Sequence, residues 1–179
     1  MLKSNKISAG EEILFSGDVD DRKREGTNYF HNNDFANAKK LFNQARSYDD
    51  PENEIYYNNS LAQEDSNYFS FIVPIPVKFR EEIARETLKG VAQAQRDFNR
   101  QNRGKSPLLN IIIADDDNDG KQAEKLAKEF IKDKNILGVI GHIGSNVSEA
   151  VIGQYSKANL AMISPSSSST ALKGQKKFL

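Results

Sequence analysis

Three stretches carry residue types capable of chemistry: the acidic "DDDNDG" (115–120), the glycine- and serine-bearing "GHIGSNVS" (141–148) and the hydroxyl-rich "SPSSSST" (164–170). Asp115, Asp117 and Asp119 followed by Gly120 reproduce the opening of a calcium-binding EF-hand loop, in which alternate residues supply oxygen ligands. The twelfth position, where a bidentate glutamate should close the cage, is Leu126. No metal site is therefore expected, and Asp119 reads as a helix N-cap beside the positive end of the dipole. A receiver-type phosphoacceptor site fails for want of a suitably placed lysine segment.

Gly138, Gly141 and Gly144 invite a phosphate-cradling role, yet the P-loop lysine and the dinucleotide fingerprint are both missing. What survives is general: Ser145 opens a helix whose first amides are free to bind an anion, including a carboxylate, with an ordinary N-cap serine as the alternative. His142 has no second histidine or acidic partner at ligand spacing and reads as a structural hydrogen-bonding group. No hydroxyl–imidazole–carboxylate triad can be assembled, and absent cysteine removes disulfides, thiolate catalysis and cysteine zinc sites. The expectation is a non-catalytic protein with no cofactor and no metal. Ser166–Ser169 directly follow an apolar run, which makes a binding loop the better account of the serine tract.

The elements that must hold these loops are legible in the hydropathy pattern. "YFSFIVPIPV", "LLNIIIA", "ILGVIG" and "LAMIS" are apolar runs of strand length. Between them lie "REEIARETLKGVAQAQRDFNRQN", with Ile83, Leu88, Val91, Ala94 and Phe98 on one side, then "KQAEKLAKEFIKD" and "SNVSEAVIGQYSKA". Strands alternating with helices of this length predict right-handed crossovers and an α/β fold, a doubly wound parallel sheet. Ligands in such a sheet bind beyond the carboxyl ends of the strands, where all three chemical loops fall.

Upstream, large residues recur at helical spacing from Asp20 to Phe30 and from Asn33 to Tyr48, with "HNND" as the turn. Gly26, Tyr29, Ala38, Phe42 and Ala45 fall at the spacing of a tetratricopeptide repeat, while Pro51 comes one residue late. "PENEIYYNNSLAQ" looks like the first helix of a next repeat, but no further unit follows, so this helical hairpin is expected to lean on another element. The predicted organisation is an irregular lead (1–18), a tetratricopeptide-like segment (19–63), a linker (64–68) and an incomplete α/β lobe (69–179).

Lys+Arg 25 balances Asp+Glu 25, so no global field directs the chain to nucleic acid or an anionic membrane, and no apolar run suggests membrane insertion or a signal peptide. At 179 residues there is room for one ordinary domain or a small one with an appendage.

From about Phe69 to Leu172 the chain resembles the first lobe of type I periplasmic binding proteins, the Leu/Ile/Val-type substrate-binding proteins of ABC transporters, related to receptor ligand-binding regions. The paired elements "VIGH-x-x-S" and "ISPS-x-S", with a helix between, carry the likeness. The upstream hairpin with "DDPENEIYYNNSLA" is similar to leaders on some cyanobacterial members. The resemblance implies an amino acid as small-molecule ligand, an ABC transporter permease as partner of a full-length form, and a periplasmic or extracytoplasmic location, although no signal is visible. It implies that Ser145 donates hydroxyl and amide to the ligand α-carboxylate, that Ser166 supplies backbone contacts and that Ser168 donates hydroxyl and amide. Phe79 and Arg80, where the family has a small or polar loop, are candidates for the pocket mouth. After "GQKKFL" the second lobe is absent, so the expectation is half a cleft. Two alternatives stand: an interaction or sensory module built on the hairpin, and a nonfunctional truncated fragment.

Overall fold

The computed structural model describes residues 5–47 and 49–172; Tyr48, the expected end of the second helix, and the terminal "GQKKFL" lie outside the described residues. In chain order the elements are β1 (Ile7–Ser8), α1 (Asp21–His31), α2 (Phe35–Gln44), α3 (Pro51–Asp65), β2 (Tyr68–Ile75), α4 (Glu81–Asn102), β3 (Leu108–Asp115), α5 (Gly120–Phe130), β4 (Ile136–Ile140), α6 (Ser145–Lys157) and β5 (Ala161–Ile163). A 3-10 turn, Thr170–Leu172, follows. The strands form one five-stranded sheet in the order β1-β3-β2-β4-β5. All neighbours from β3 to β5 are parallel, and β1 alone runs antiparallel, with Ile7 opposite Ala114 and Ser8 opposite Ile113. The predicted α/β architecture is the one found, with an edge strand supplied by the segment expected to be irregular.

Helices cover both faces, as the continuous apolar strands require. On one face α5 and α6 bring Phe130, Val147, Val151 and Tyr155 against Ile72 and Met162. On the other, α3 and α4 cover Val73, Ile75, Ile111 and Ile113, and the same apolar cluster runs on through Tyr56 to Phe30 and Phe42 of the first two helices. The expected linker is shared out: Glu64 and Asp65 end α3, Tyr68 starts β2, and only Ser66 and Asn67 connect them.

Local chemistry explains the helical segment. Asp20, Asp34 and Asp50 each cap a helix by accepting from a first-turn amide, and Pro51 occupies the first turn of α3 where its missing N–H costs nothing. Gly26 is needed because a Cβ there would stand 2.8 Å from the ring of Phe42. Phe42 in turn lies 6.5 Å from Phe30 and 5.7 Å from Tyr56 between ring centroids. Lys23, buried, donates to Asp50 and Glu52, and Glu52 also accepts from the Leu14 amide (2.7 Å) and the Tyr56 hydroxyl (2.9 Å).

The buried side of α4 differs from the expected one. Ala84, Leu88, Ala92, Gln95 and Asn99 face inward, whereas Ile83 is 40% exposed and Ala94 is on the surface. The reason lies at the edge of β3, which β1 pairs only at its carboxyl end. The Leu109 amide donates to Asn99 Oδ1 (2.7 Å) and its carbonyl accepts from Asn99 Nδ2 (3.0 Å) and Gln95 Nε2 (3.0 Å). Ile111 repeats the pattern with Asn59 of α3, at 2.8 Å from the amide and 2.6 Å to the carbonyl. Side-chain carboxamides thus stand in for a strand, satisfying buried peptide groups that would otherwise cost about 1–3 kcal/mol each.

Candidate functional site

β3 lies on one side of β2 and β4 on the other. The chain therefore leaves β2 for α4 on one face and β4 for α6 on the opposite face, which opens a crevice between the two strand ends. Residues 76–80 follow β2 and residues 141–144 follow β4 at that end of the sheet. Gly141 has φ +143°, and a Cβ on it would lie 2.4 Å from the Pro74 carbonyl oxygen; a Cβ on Gly144 would lie 2.3 Å from Asn118 Oδ1. Both glycines let the turn rest directly on β2 and on the acidic loop.

That acidic loop is a clamp. Asp115 Oδ1 accepts from the amides of Val77 (3.0 Å) and Asp117 (3.1 Å), tying down the chain after β2. Burial pushes the Asp115 carboxyl above its ordinary value, against the lowering effect of the amide donors. Asp116 accepts from the Asn118 amide (3.0 Å) and meets His142 Nδ1 at 2.6 Å. Asp117 pairs with Lys6 at 2.9 Å, beside the edge strand. Asp119 caps α5 through the Gln122 amide, as expected. With these carboxylates committed to hydrogen bonds, the described residues contain no group of acidic and imidazole side chains fit to hold a metal ion.

His142 does have an acidic partner, which linear spacing concealed. Asp116 is 26 residues away in sequence, and both side chains are buried. The other ring nitrogen lies 3.1 Å from the Tyr155 hydroxyl, whose pKa burial drives far up, so the hydroxyl keeps its proton. The set is sealed from solvent and bonded internally, which fits positioning rather than proton transfer to a substrate.

Ser145 is the first residue of α6; the cap is Gly144, which brings no side-chain acceptor to the first-turn amides. An N-cap serine was the alternative for Ser145, and here the residue sits one position inside the helix with its hydroxyl turned elsewhere. Ser145 Oγ accepts from Ser167 Oγ at 3.1 Å, and Ser166 Oγ donates to the Ile143 carbonyl at 2.9 Å. The loops after β4 and β5 are thereby joined at the open end of α6. Ser168 is exposed and takes no part in these bonds among the described residues. Phe79 is 61% exposed with the Arg80 guanidinium 5.7 Å from its ring centroid, both in the chain after β2. A separate cavity of about 180 Å³, lined by Ser70, Asn110, Tyr68 and Asn135, lies at the opposite end of the strands. Sequence reasoning included Ser167 within the Ser166–Ser169 loop without singling it out, and it missed Ser164, at the start of that tract, and Asp116 and Tyr155, whose signal was tertiary.

Residues 87–179 match the family described as receptor family ligand binding region. An ABC transporter substrate-binding protein from Desulfitobacterium hafniense is similar with a TM-score of 0.57 and 26% identity over 63% of this chain and 33% of that one. The same protein in complex with Leu gives the same values. The branched-chain amino acid transporter substrate binding protein LivJ from Streptococcus pneumoniae, in complex with isoleucine, has a TM-score of 0.56 at 17% identity over the same 63% and 33%, a likeness of fold alone. The chain spans about a third of the length of these structures. No curated protein matches it.

Proposed function

We propose, for a chain that belongs to the family of receptor ligand-binding regions, that it is the substrate-binding component, or part of one, of an ABC-type uptake system for branched-chain or similar small amino acids. It binds and does not catalyse. The open end of α6 carries this reading: free first-turn amides, no side-chain cap, and the Ser145–Ser167 hydroxyl pair beside them. A carboxylate placed there gains hydrogen bonds from the amides and favourable interaction with the helix dipole, about 1 kcal/mol for the dipole alone. Ser145 contributes hydroxyl and amide, Ser166 its backbone, and Ser168 hydroxyl and amide, while Phe79 and Arg80 stand at the mouth. The Desulfitobacterium structure with bound Leu supports the ligand class. The transporter's permease is the partner of the complete protein, and the place of work is outside the cytoplasmic membrane. No helix among the described residues is long and apolar enough to cross a membrane.

Pockets bury most of a ligand's surface, and the described residues supply one wall of such a pocket, so this stretch by itself binds weakly, with Kd on the order of 1 mM or above. Titration of the ¹⁵N-labelled chain with L-leucine, followed by amide chemical shifts, tests the proposal. Shifts should cluster at 144–147 and 166–169 and be lost in Ser145→Ala; saturable shifts elsewhere, or none at those amides, would refute it.

A further inference from the structure

The loops after β3, β4 and β5 meet at one buried residue. The His142 ring bridges Asp116 and Tyr155, and the His142 carbonyl accepts from two hydroxyls, Ser148 at 3.1 Å and Ser164 at 2.7 Å. Ser148 lies in the first turn of α6, three residues after Ser145. Ser164 opens the loop that holds Ser166 and Ser168, and its oxygen also accepts from the Ser167 amide at 3.2 Å. Ser167 then reaches Ser145. A continuous path of hydrogen bonds therefore runs from Asp116 through His142 and Ser164 to Ser167 and Ser145, linking a carboxylate in the solvent-excluded interior to the surface hydroxyls.

Of the bonds in that path, rotation of the imidazole would break the one to Asp116; the others run through the His142 carbonyl and the serines. The ring cannot turn without leaving Asp116 Oδ2 buried and without its partner, while Oδ1 keeps the Asn118 amide, an expensive outcome in a low-dielectric interior. Ring and carbonyl belong to the same short turn between β4 and α6, so anchoring the ring at both nitrogens restrains the His142 backbone and, with it, the carbonyl to which both hydroxyls donate. Gly141 and Gly144 press the turn onto β2 and the acidic loop from either side, which leaves little room for adjustment.

We infer that His142, held by Asp116, is the positioning residue of the carboxylate site: it sets the spacing between the end of α6 and the 166–168 loop without touching ligand. The inference rests on the carboxylate-binding reading above, and it assigns the "DDD" run a function in recognition that involves no cation. Affinity at the surface serines then depends on a side chain with no solvent exposure.

The test uses the full chain with L-leucine as probe. Asp116→Leu, which removes the acceptor, should weaken binding by about tenfold or more, the scale of one buried hydrogen bond lost. Asp116→Asn, which keeps an acceptor oxygen, should largely restore it. Phe130→Leu, a core substitution under α5, should lower the melting temperature with affinity of the folded protein unchanged; an equal loss of affinity there, or wild-type binding by Asp116→Leu, overturns the inference. Without ligand, the Ser145, Ser164 and Ser167 amide shifts should move in Asp116→Leu and stay in Asp116→Asn. Changes confined to 115–118 and 142 would count against positioning even if L-leucine proves to be the wrong probe and the carboxylate reading falls. Should Asp116→Leu not fold, the imidazole ¹⁵N spectrum of the unaltered protein decides: a proton on Nδ1 in the neutral ring supports the assignment, and one on Nε2 alone overturns it.

Discussion

Asp115 shows how a single residue couples burial, charge and loop geometry. Its carboxyl binds a proton more tightly in the folded chain than in the unfolded one, because burial outweighs the donors around it. Stability from such a group is fully present below its ordinary value of 3.8 and is lost as pH rises through the raised, folded-state value. Asp115→Asn keeps an oxygen for the Val77 and Asp117 amides and carries no charge. The variant should therefore gain stability relative to the parent as pH rises from about 4 to 7, read from urea midpoints across that range. A difference that does not vary with pH would refute it. Gly141 belongs to this scale too: Gly141→Ala forces a Cβ onto Pro74 at a positive φ, and should cost about 2–4 kcal/mol in chemical denaturation.

Elements are joined in this protein by polar side chains as much as by apolar ones. Asn59 of α3 and Asn99 of α4 complete the edge of β3 in the place of a neighbouring strand. Asn59→Leu keeps the volume and strands the Ile111 amide and carbonyl, so a loss of about 3 kcal/mol is expected, with Ile111 exchanging its amide hydrogen much faster than the centre of β2. Unchanged exchange at Ile111 would mean that water or a shifted strand replaces the carboxamide. The same arrangement explains why apolar periodicity misplaced the inner face of α4: Ile83 and Ala94 satisfy the pattern, but the sheet edge requires hydrogen-bonding groups at Gln95 and Asn99, and only one side of the helix can meet it.

At the level of the molecule, the helical segment and the sheet share one apolar cluster, with Phe30, Phe42 and Tyr56 continuous with Val73, Ile75 and Ile111. Lys6 and Ser8 of the lead contact the acidic loop and β3 as well. A chain lacking residues 1–65 would expose that cluster and the β3 edge together. It should lose near-UV circular dichroism and bind a hydrophobic dye, while the intact chain unfolds in one transition; cooperative folding of the shortened chain would show that the sheet stands without its helical cover.

Sequence alone determined the alternation of strands and helices and the position of the three polar loops after β3, β4 and β5, and it singled out Gly26 and Phe42, which meet in the helical hairpin. Hydrophobic period and turn residues are local properties, readable within one element. Two residues are too short a run to show a period, so β1 escaped. The destinations of the acidic side chains were decided only by tertiary structure. Asp115 meets an amide 38 residues away, Asp116 an imidazole 26 away and Asp117 an ammonium 111 away. Strand order sets those separations, and nothing in the spacing of "DDDNDG" distinguishes a cage for a cation from a clamp for three loops until β2 is placed between β3 and β4.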